Sequence, residues 1–366
     1  MRRVDLAVDA SRSDSAERTG TEWYSFELLR AMAAIDEGPA MTYYHREFRP
    51  DWPSGSHVDH ELIRMPRLWT HAGLSLRMLR DRPAALFVPS HVIPVIHPRA
   101  SIATIHDLGY LHEPEAHDQA SRLMLDRTTR WNGRVASRLI AVSATTRDDL
   151  IRHYGVWPGK IAVVHSGIDH QRFRRHDPSA TLSHAGITRP YLLFLSTVQP
   201  RKNVVRLVEA FERLDNHDLH LVVGGRSGWM SDPIERRLKQ SPRSDRIIRL
   251  GYVPDELVPA LYAGAAAFVH PALYEGFGLG ILEAMASGAP VVTSNIASMP
   301  EVSGDAAILV DPHDVRSIRD GILAALDPAN RVDLVERGAR RAAGFTWERT
   351  ARLTLDVIAE ARRGRN

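Results

Sequence analysis

The 366-residue sequence contains no cysteine, which excludes a disulfide framework, a thiolate metal site and a cysteine nucleophile at once. It is poor in lysine: only Lys160, Lys202 and Lys239 occur, and every other strong base is arginine. That bias runs through the whole chain and reads as a compositional habit, but it lets each lysine be judged singly. No apolar run approaches the roughly 18 residues of a membrane span. The opening MRRVDLAVDA carries acids where a signal peptide needs an unbroken apolar core. The expectation is a cytoplasmic protein. Charge of one sign is also missing, since 47 basic and 44 acidic residues give +3, with 24 and 22 of them in residues 1–185. General nucleic-acid binding has no support from charge. No P-loop or G-x-S-x-G pattern occurs, and Asp9-Ala10-Ser11-Arg12 stands where a G-x-G-x-x-G would follow the first strand. This argues against a nicotinamide dehydrogenase.

What is present is a globular mixture, 44% hydrophobic and 25% charged, with a length that suits two domains at about 150 residues each. Short β-branched or leucine-rich runs alternate with longer helical patterns, the signature of a parallel sheet covered by helices. In the first half the candidate strands are Val4–Val8, Ala85–Val88, Ser101–Ile105, Arg138–Val142 and Ile161–Val164. In the second they are Tyr191–Leu195, Leu219–Val223, Ile247–Leu250, Ala267–Val269, Pro290–Thr293 and Ala307–Val310. Helical patterns between them include Glu22–Ile35, Ala120–Ala136, Val204–Arg213 and Leu282–Ala286. Asp169–Pro190 is polar, lacks a clear period and ends in proline, so it reads as a linker. The α/β fold class is thus two β/α units, 1–170 and 191–346, joined by 171–190. The amphipathic segment Thr346–Arg363 suits either a cap on the second unit or a helix returning to the first.

The strongest chemical signal is Tyr274-Glu275-Gly276-Phe277-Gly278-Leu279-Gly280-Ile281-Leu282-Glu283. Three glycines at alternate positions let a backbone approach a ligand closely, and a helix pattern follows directly. Unpaired N–H groups and the helix dipole at such a start favour a phosphate. Glu275 lies in the loop before the glycines, and Glu283 is expected in the first helical turn. A carboxylate accepts two hydroxyl hydrogen bonds well, so a pair flanking a phosphate seat suits a sugar on one side and a ribose on the other.

The block EGFGLGILEAMASGAPVVTSNIASMPEV resembles the E-x7-E block of the group 1 (family 4) glycosyltransferases. The likeness extends over nearly the whole chain through Ser196-Thr197-Val198-Gln199-Pro200-Arg201-Lys202-Asn203, Leu221–Trp229, Gly251-Tyr252-Val253, Thr104-Ile105-His106-Asp107-Leu108 and Ala141–Thr146. The resemblance implies the GT-B fold: two Rossmann-like domains facing across a cleft, with the closing helix 347–366 crossing back to the first. It implies a retaining transfer of a sugar from a nucleotide-diphosphate donor to an acceptor hydroxyl, without a metal or a bound cofactor. The absence of any D-x-D tripeptide agrees with that, since the metal–diphosphate site of the other large glycosyltransferase fold needs one.

Carried over residue by residue, the resemblance implies that Arg201 and Lys202 neutralise the diphosphate. Glu275 holds hydroxyls of the transferred sugar, and backbone groups of Phe277, Gly278 and Leu279 contact sugar and phosphate. Glu283 holds the ribose, while Tyr252 and Val253 lie by the base. His106 faces the donor sugar from the first domain, and Gly20 approaches the phosphate. Many relatives have glycine where this chain has Ser196-Thr197, so a side chain either narrows that seat or adds a hydroxyl. Hinge closure about the linker would assemble the site.

The first domain is expected to take a glycan or lipid-linked acceptor. Glu61–Arg82 mixes Leu68, Trp69, Leu74, Leu76, Met78 and Leu79 with five arginines. It reads either as a surface helix with one buried face or as an interfacial basic helix at the inner face of a membrane. The expected activity is hexosyl transfer, first from GDP-mannose, in polysaccharide or glycolipid assembly. The alternatives are a sugar-nucleotide epimerase or hydrolase on the same scaffold, or a non-catalytic nucleotide-sugar-binding subunit.

Overall fold

Parallel strands need crossover connections and are covered on both faces, so their sequences read as continuous apolar runs rather than alternations. The computed structural model describes residues 4–364 except 16, 17, 19, 37, 66, 91 and 117. The outermost residues of the expected first domain and crossover helix (1–3 and 365–366), and Pro66 within the basic stretch, therefore lie outside the description. The chain divides into one unit of Met1–Leu108, Ala120–Gly167 and Thr346–Asn366 and a second of Gly109–Gln119 and Ile168–Phe345.

Among the described residues the first unit holds seven strands: β1 Leu6–Asp9, β2 Met41–His45, β3 Val58–Leu62, β4 Ala85–Val88, β5 Ala100–Ile105, β6 Arg138–Ala141 and β7 Ile161–Val163. They form one sheet in the order β3-β2-β1-β4-β5-β6-β7, and neighbouring strands pair in parallel. The order reverses between β1 and β4, which opens a crevice at the carboxyl ends of those strands. The likeness at Ala141–Thr146 has a local cause: Ser143 caps the helix Ala144–Tyr154, its Oγ accepting the Thr146 N–H at 3.1 Å. The helix Trp347–Arg363 belongs to this unit. Its residue Thr350 donates to the His165 carbonyl at 2.8 Å, and the Trp347 ring meets Tyr24 edge-on at 5.7 Å. A Cβ on Gly167 would lie 2.2 Å from the Trp347 nitrogen, so only glycine admits the helix start there.

Two strands have no counterpart among the sequence candidates, β2 and β3. β2, MTYYH, is buried along its whole length but is short and polar-tipped. It is fixed at its end by a buried knot in which His45 Nδ1 and Asp14 Oδ1 lie 2.7 Å apart and the Trp52 ring stacks on His45 at 3.7 Å. β3, VDHEL, is an edge strand with charged residues facing out. The second finding corrects the reading of 61–82 as one helix. Glu61 and Leu62 complete β3, and the helical part is a π-helical turn, Trp69–Leu74, running into Ser75–Asp81.

The second unit holds β8 Tyr191–Leu195, β9 His220–Gly224, β10 Ile247–Gly251, β11 Ala267–His270, β12 Val291–Ser294 and β13 Ile308–Val310. Their order is β10-β9-β8-β11-β12-β13, again parallel, with the reversal between β8 and β11. Its core is built from Leu192, Phe194, Leu207, Phe211, Val223, Val269, Val292 and Ile322, all fully buried. The expected linker 171–190 is not a free tether but part of this unit. Phe173, Leu182 and Ile187 are buried, Phe173 packs edge-on against Tyr262, and Ser179–His184 is helical. One turn of helix is too short to display a period, which is why the stretch reads as irregular. Among the described residues no helix is long and apolar enough to cross a membrane.

Asp9 ends β1 as a buried carboxyl. Its Oδ1 accepts the Ser11 N–H at 3.0 Å and the Ser11 hydroxyl at 2.6 Å, while Oδ2 is buried without a partner. Burial raises its pKa to about 6, against the lowering effect of the Ser11 bonds. Because the folded state holds this proton more tightly than the unfolded chain does, stability is lost as pH rises from about 4 through about 6 and stays lower above it. Asp9→Asn should therefore stabilise the protein by up to about 3 kcal/mol above pH 7, with the gain vanishing near pH 4. Melting temperatures of both forms across pH 4–8 test this.

Candidate functional site

The strand order of the second sheet makes the loops after β8 and β11 neighbours. After β8 the chain passes Ser196 and Thr197, makes a single 3₁₀ turn over Pro200–Lys202, and enters the helix Val204–Glu212 through Asn203 at φ 61°. That left-handed residue, one of the few types that tolerates it, is anchored by its side chain. Its Nδ2 donates to the carbonyls of Pro271 at 2.9 Å and Pro312 at 2.7 Å. The Leu273 N–H donates to the Arg201 carbonyl at 2.8 Å. The two loops are thus stitched together by backbone before any charge is considered.

Glu275 lies in the loop after β11, buried at 8% exposure. Its Oε1 receives the Lys202 ammonium and, at 2.8 Å, Nε2 of His270; Oε2 receives Arg201 Nη1 at 3.3 Å. Burial pulls this carboxyl upward in pKa, but Lys202, Arg201 and the His270 bond outweigh it and hold it well below the usual range. A buried carboxylate survives only with such partners. Arg201 also donates to the Tyr274 carbonyl at 2.9 Å. From behind, the Ser298 hydroxyl lies 2.8 Å from the Glu275 carbonyl and 3.1 Å from that of Phe277.

The loop then turns into the helix Leu279–Ser287 through Gly278 at φ 93°, a conformation that only glycine adopts freely. A helix start leaves its first N–H groups without partners within the helix, and this one follows the Glu275 loop directly in sequence. Phe277 is buried, and Gly278 and Leu279 are half-buried. Gly280 behaves differently from the expectation of a ligand-facing glycine. A Cβ there would meet the Tyr262 hydroxyl at 2.9 Å and Phe268 at 3.3 Å, so it serves close helix packing. Glu283 sits in the second turn, not the first, because the helix begins at Leu279. It accepts from the Tyr262 hydroxyl at 3.1 Å. Burial raises its pKa, partly countered by Arg172 and by the Tyr262 bond.

Gly251-Tyr252-Val253 closes β10. The Gly225 N–H donates to the Gly251 carbonyl at 2.7 Å. Tyr252 is exposed with the Arg226 guanidinium 4.5 Å above its ring, and Val253 is buried. Ser196 donates its N–H to the Gly224 carbonyl at 3.1 Å. Glycines of the facing turn let this loop approach closely. A Cβ on Gly225 would sit 1.9 Å from the Ser196 backbone carbonyl oxygen, and one on Gly228 2.6 Å from the Thr197 side chain at Cγ2.

The remaining candidates belong to the first unit. Gly20 opens the helix Gly20–Ala33, exposed, with nothing within 4 Å of a Cβ placed on it. His106 follows β5, where its Nε2 lies 2.8 Å from the Pro89 carbonyl after β4. A carbonyl only accepts, so in the neutral ring Nε2 carries the hydrogen and Nδ1 the lone pair. Burial lowers its pKa, opposed by the Pro89 bond and Asp107, which favours that neutral ring at pH 7. The structure thus gathers Arg201, Lys202 and Glu275 into one cluster and continues it through Phe277, Gly278 and Leu279. Sequence reasoning missed His270 and Tyr262, which bond Glu275 and Glu283, and Arg172, whose charge acts on Glu283. The only available signal was the position of His270 at the end of a strand.

Two family models match the chain: "Glycosyltransferase Family 4" over residues 19–172 and "Glycosyl transferases group 1" over residues 184–341. The O-antigen chain mannosyltransferase B of Escherichia coli is 31% identical over 365 residues, covering 93% of this chain and 95% of that protein. A D-inositol 3-phosphate glycosyltransferase of Streptomyces bingchenggensis is 33% identical over 289 residues, 74% of this chain and 62% of that protein. Among solved structures, the sucrose-phosphate synthase of Thermosynechococcus elongatus superposes with a TM-score of 0.77 at 21% identity, covering 98% and 99% of the two chains. WaaG, a glycosyltransferase involved in lipopolysaccharide biosynthesis, gives 0.75 at 18% identity over 96% and 99%.

Gly225 has φ 121° and faces backbone, not a movable side chain. Gly225→Ala should force the loop after β8 away from β9 and cost about 2 kcal/mol or more. The check is a lower melting temperature in the variant, alongside an unchanged one for Gly20→Ala, where space is open.

Proposed function

The chain belongs to the group 1 glycosyltransferases, two Rossmann-like domains of the GT-B type acting on a nucleotide-sugar donor and a glycan acceptor, and on that premise we propose that it transfers mannose from GDP-mannose with retention of configuration. The carrying observation is the buried Glu275 carboxylate paired with Lys202 and Arg201 beside the helix start at Gly278-Leu279. Mannose rests on the E. coli mannosyltransferase as a relative over nearly the full length.

In this reading Arg201 and Lys202 meet the diphosphate. An ammonium has three donors, so Lys202 serves Glu275 and a phosphate oxygen together. The reaction breaks the bond between the anomeric carbon and the phosphate oxygen, and the acceptor oxygen bonds to that carbon from the same face. The leaving phosphate takes the acceptor's proton. The protein then contributes positioning and stabilisation of the charge growing on the diphosphate, without a metal. Glu275 holds sugar hydroxyls through the backbone-anchored loop, with the N–H groups at Phe277, Gly278 and Leu279 on sugar and phosphate. Glu283 holds the ribose, and Tyr252 and Val253 lie by the base. Ser196 adds a hydroxyl near the donor. The roles implied for His106 toward the sugar and Gly20 toward the diphosphate are part of the same proposal.

The acceptor is proposed to be a glycan, lipid-linked and met at an anionic membrane surface. Leu68, Leu76 and Leu79 support this, being exposed at 74%, 58% and 54% among the arginines of 61–82. Replacing the three leucines by serine should abolish binding to vesicles of anionic lipid, and unchanged co-sedimentation would remove membrane contact.

The donor is tested by thermal unfolding with GDP, UDP, ADP and dTDP and then with their sugar conjugates. A ligand at about a hundred times its Kd adds roughly 2.7 kcal/mol. GDP and GDP-mannose should stand out; a larger shift with another nucleotide replaces the donor. Glu275→Gln should lower turnover roughly 10²–10³-fold with GDP binding nearly intact, whereas Lys202→Ala should weaken both. Equal loss of GDP binding in the two variants would count against these roles.

A further inference from the structure

His270 closes β11 and is buried at 5% exposure. Its ring lies nearly parallel to those of Phe194 and Phe268, with centroids 6.0 and 5.8 Å away. Its backbone carbonyl accepts from the Thr293 hydroxyl at 2.9 Å. The ring is therefore held by packing and by its own main chain. Its Nε2 is 2.8 Å from Glu275 Oε1, and an ionised carboxylate only accepts, so Nε2 carries the hydrogen. Nδ1 is buried without a partner. The histidine thus presents one donor in one direction, and that donor points at Glu275.

The two oxygens of Glu275 are treated unequally. Oε1 is shared by His270 and Lys202, whereas Oε2 meets Arg201 at 3.3 Å, longer than an ordinary charge-assisted bond. Oε2 is the oxygen with acceptor capacity left for a ligand. Lys202 reaches Oε1 at the end of a long, rotatable side chain and is also the group drawn toward a diphosphate. When its charge is shared with phosphate, the carboxylate keeps its orientation only through a donor that does not move.

We propose that His270 is a positioning residue, the fixed donor that holds Oε1 of Glu275 so that Oε2 remains directed to the hydroxyls of the donor sugar. This rests on the reading of Glu275 as the sugar-holding carboxylate. It predicts that His270 affects affinity for the sugar part of the donor and not for the nucleotide.

The test is calorimetric titration with GDP and with GDP-mannose, or with the pair that the thermal series selects. His270→Phe keeps an aromatic ring between Phe194 and Phe268 and removes the donor; His270→Gln restores an N–H of similar reach. In His270→Phe the Kd for GDP should stay within about 2-fold of wild type while that for GDP-mannose rises about 10-fold. His270→Gln should recover most of that loss. Glu275→Gln serves as the reference and should also lose the sugar-dependent part of the affinity. If Glu275→Gln loses it and His270→Phe does not, the inference fails and the reading of Glu275 stands. Equal losses in His270→Phe and His270→Gln make the ring's shape the cause and overturn it as well. If Glu275→Gln binds GDP-mannose like the wild type, the reading of Glu275 falls, and the inference with it.

Discussion

A carboxylate cannot be buried without its counter-charges, and at Glu275 those charges come from a loop more than seventy residues earlier in the chain. Everything else in the second unit's site follows from meeting that requirement. The sheet order β10-β9-β8-β11-β12-β13 puts the loop after β8 beside the loop after β11. The Asn203 amide and the Leu273-to-Arg201 backbone bond lock those loops together. Only then do Lys202 and Arg201 arrive close enough to keep Glu275 ionised in a dry place. Preorganised charge of this kind costs folding free energy, and it is worth keeping where charge develops during a reaction.

The same topological device occurs in both units, with different chemistry at each. In the first sheet the reversal lies between β1 and β4, and the loops there carry the helix opening at Gly20 and the Pro89 carbonyl that sets the His106 tautomer. The loop after β1 carries its own ion pairs, Arg12 with Glu22 at 3.3 Å and Arg18 with Asp51 at 2.7 Å, while Gly20 and His106 contribute no charge.

How far the sequence could be read depends on the range of the interactions. The central strands were legible because apolar residues are consecutive wherever both faces are covered, and Tyr191–Leu195 and Ala85–Val88 have the expected limits. β2 and β3 were not, since one ends in a polar knot and the other forms the polar edge. The Arg201-Lys202 pair and Glu275 could be singled out from residue type and from the glycines that follow. The partners His270, Tyr262 and Arg172 could not, because nothing local distinguishes a histidine aimed at a carboxylate from one bonded to a carbonyl. Glu283 was placed a turn too early, since the left-handed turn into the helix lies at Gly278 and the helix already begins at Leu279, with Gly280 inside it rather than before it. The segment 171–190 read as a tether because its few apolar anchors, Phe173, Leu182 and Ile187, are spaced without a period.

The helix Trp347–Arg363 packs on the first unit although it is encoded after the whole of the second. During synthesis, therefore, the first sheet emerges with one of its covering layers missing. At about 5–20 residues per second, the intervening 178 residues, 168–345, delay that layer by roughly 10–35 seconds. The interval exposes Tyr24 and the His165 turn that Trp347 and Thr350 later cover. The second unit is contiguous apart from Gly109–Gln119 and meets no such delay in its own core. Completion of the first unit thus waits on a helix made after the second unit, so the first unit to begin is the second to be finished.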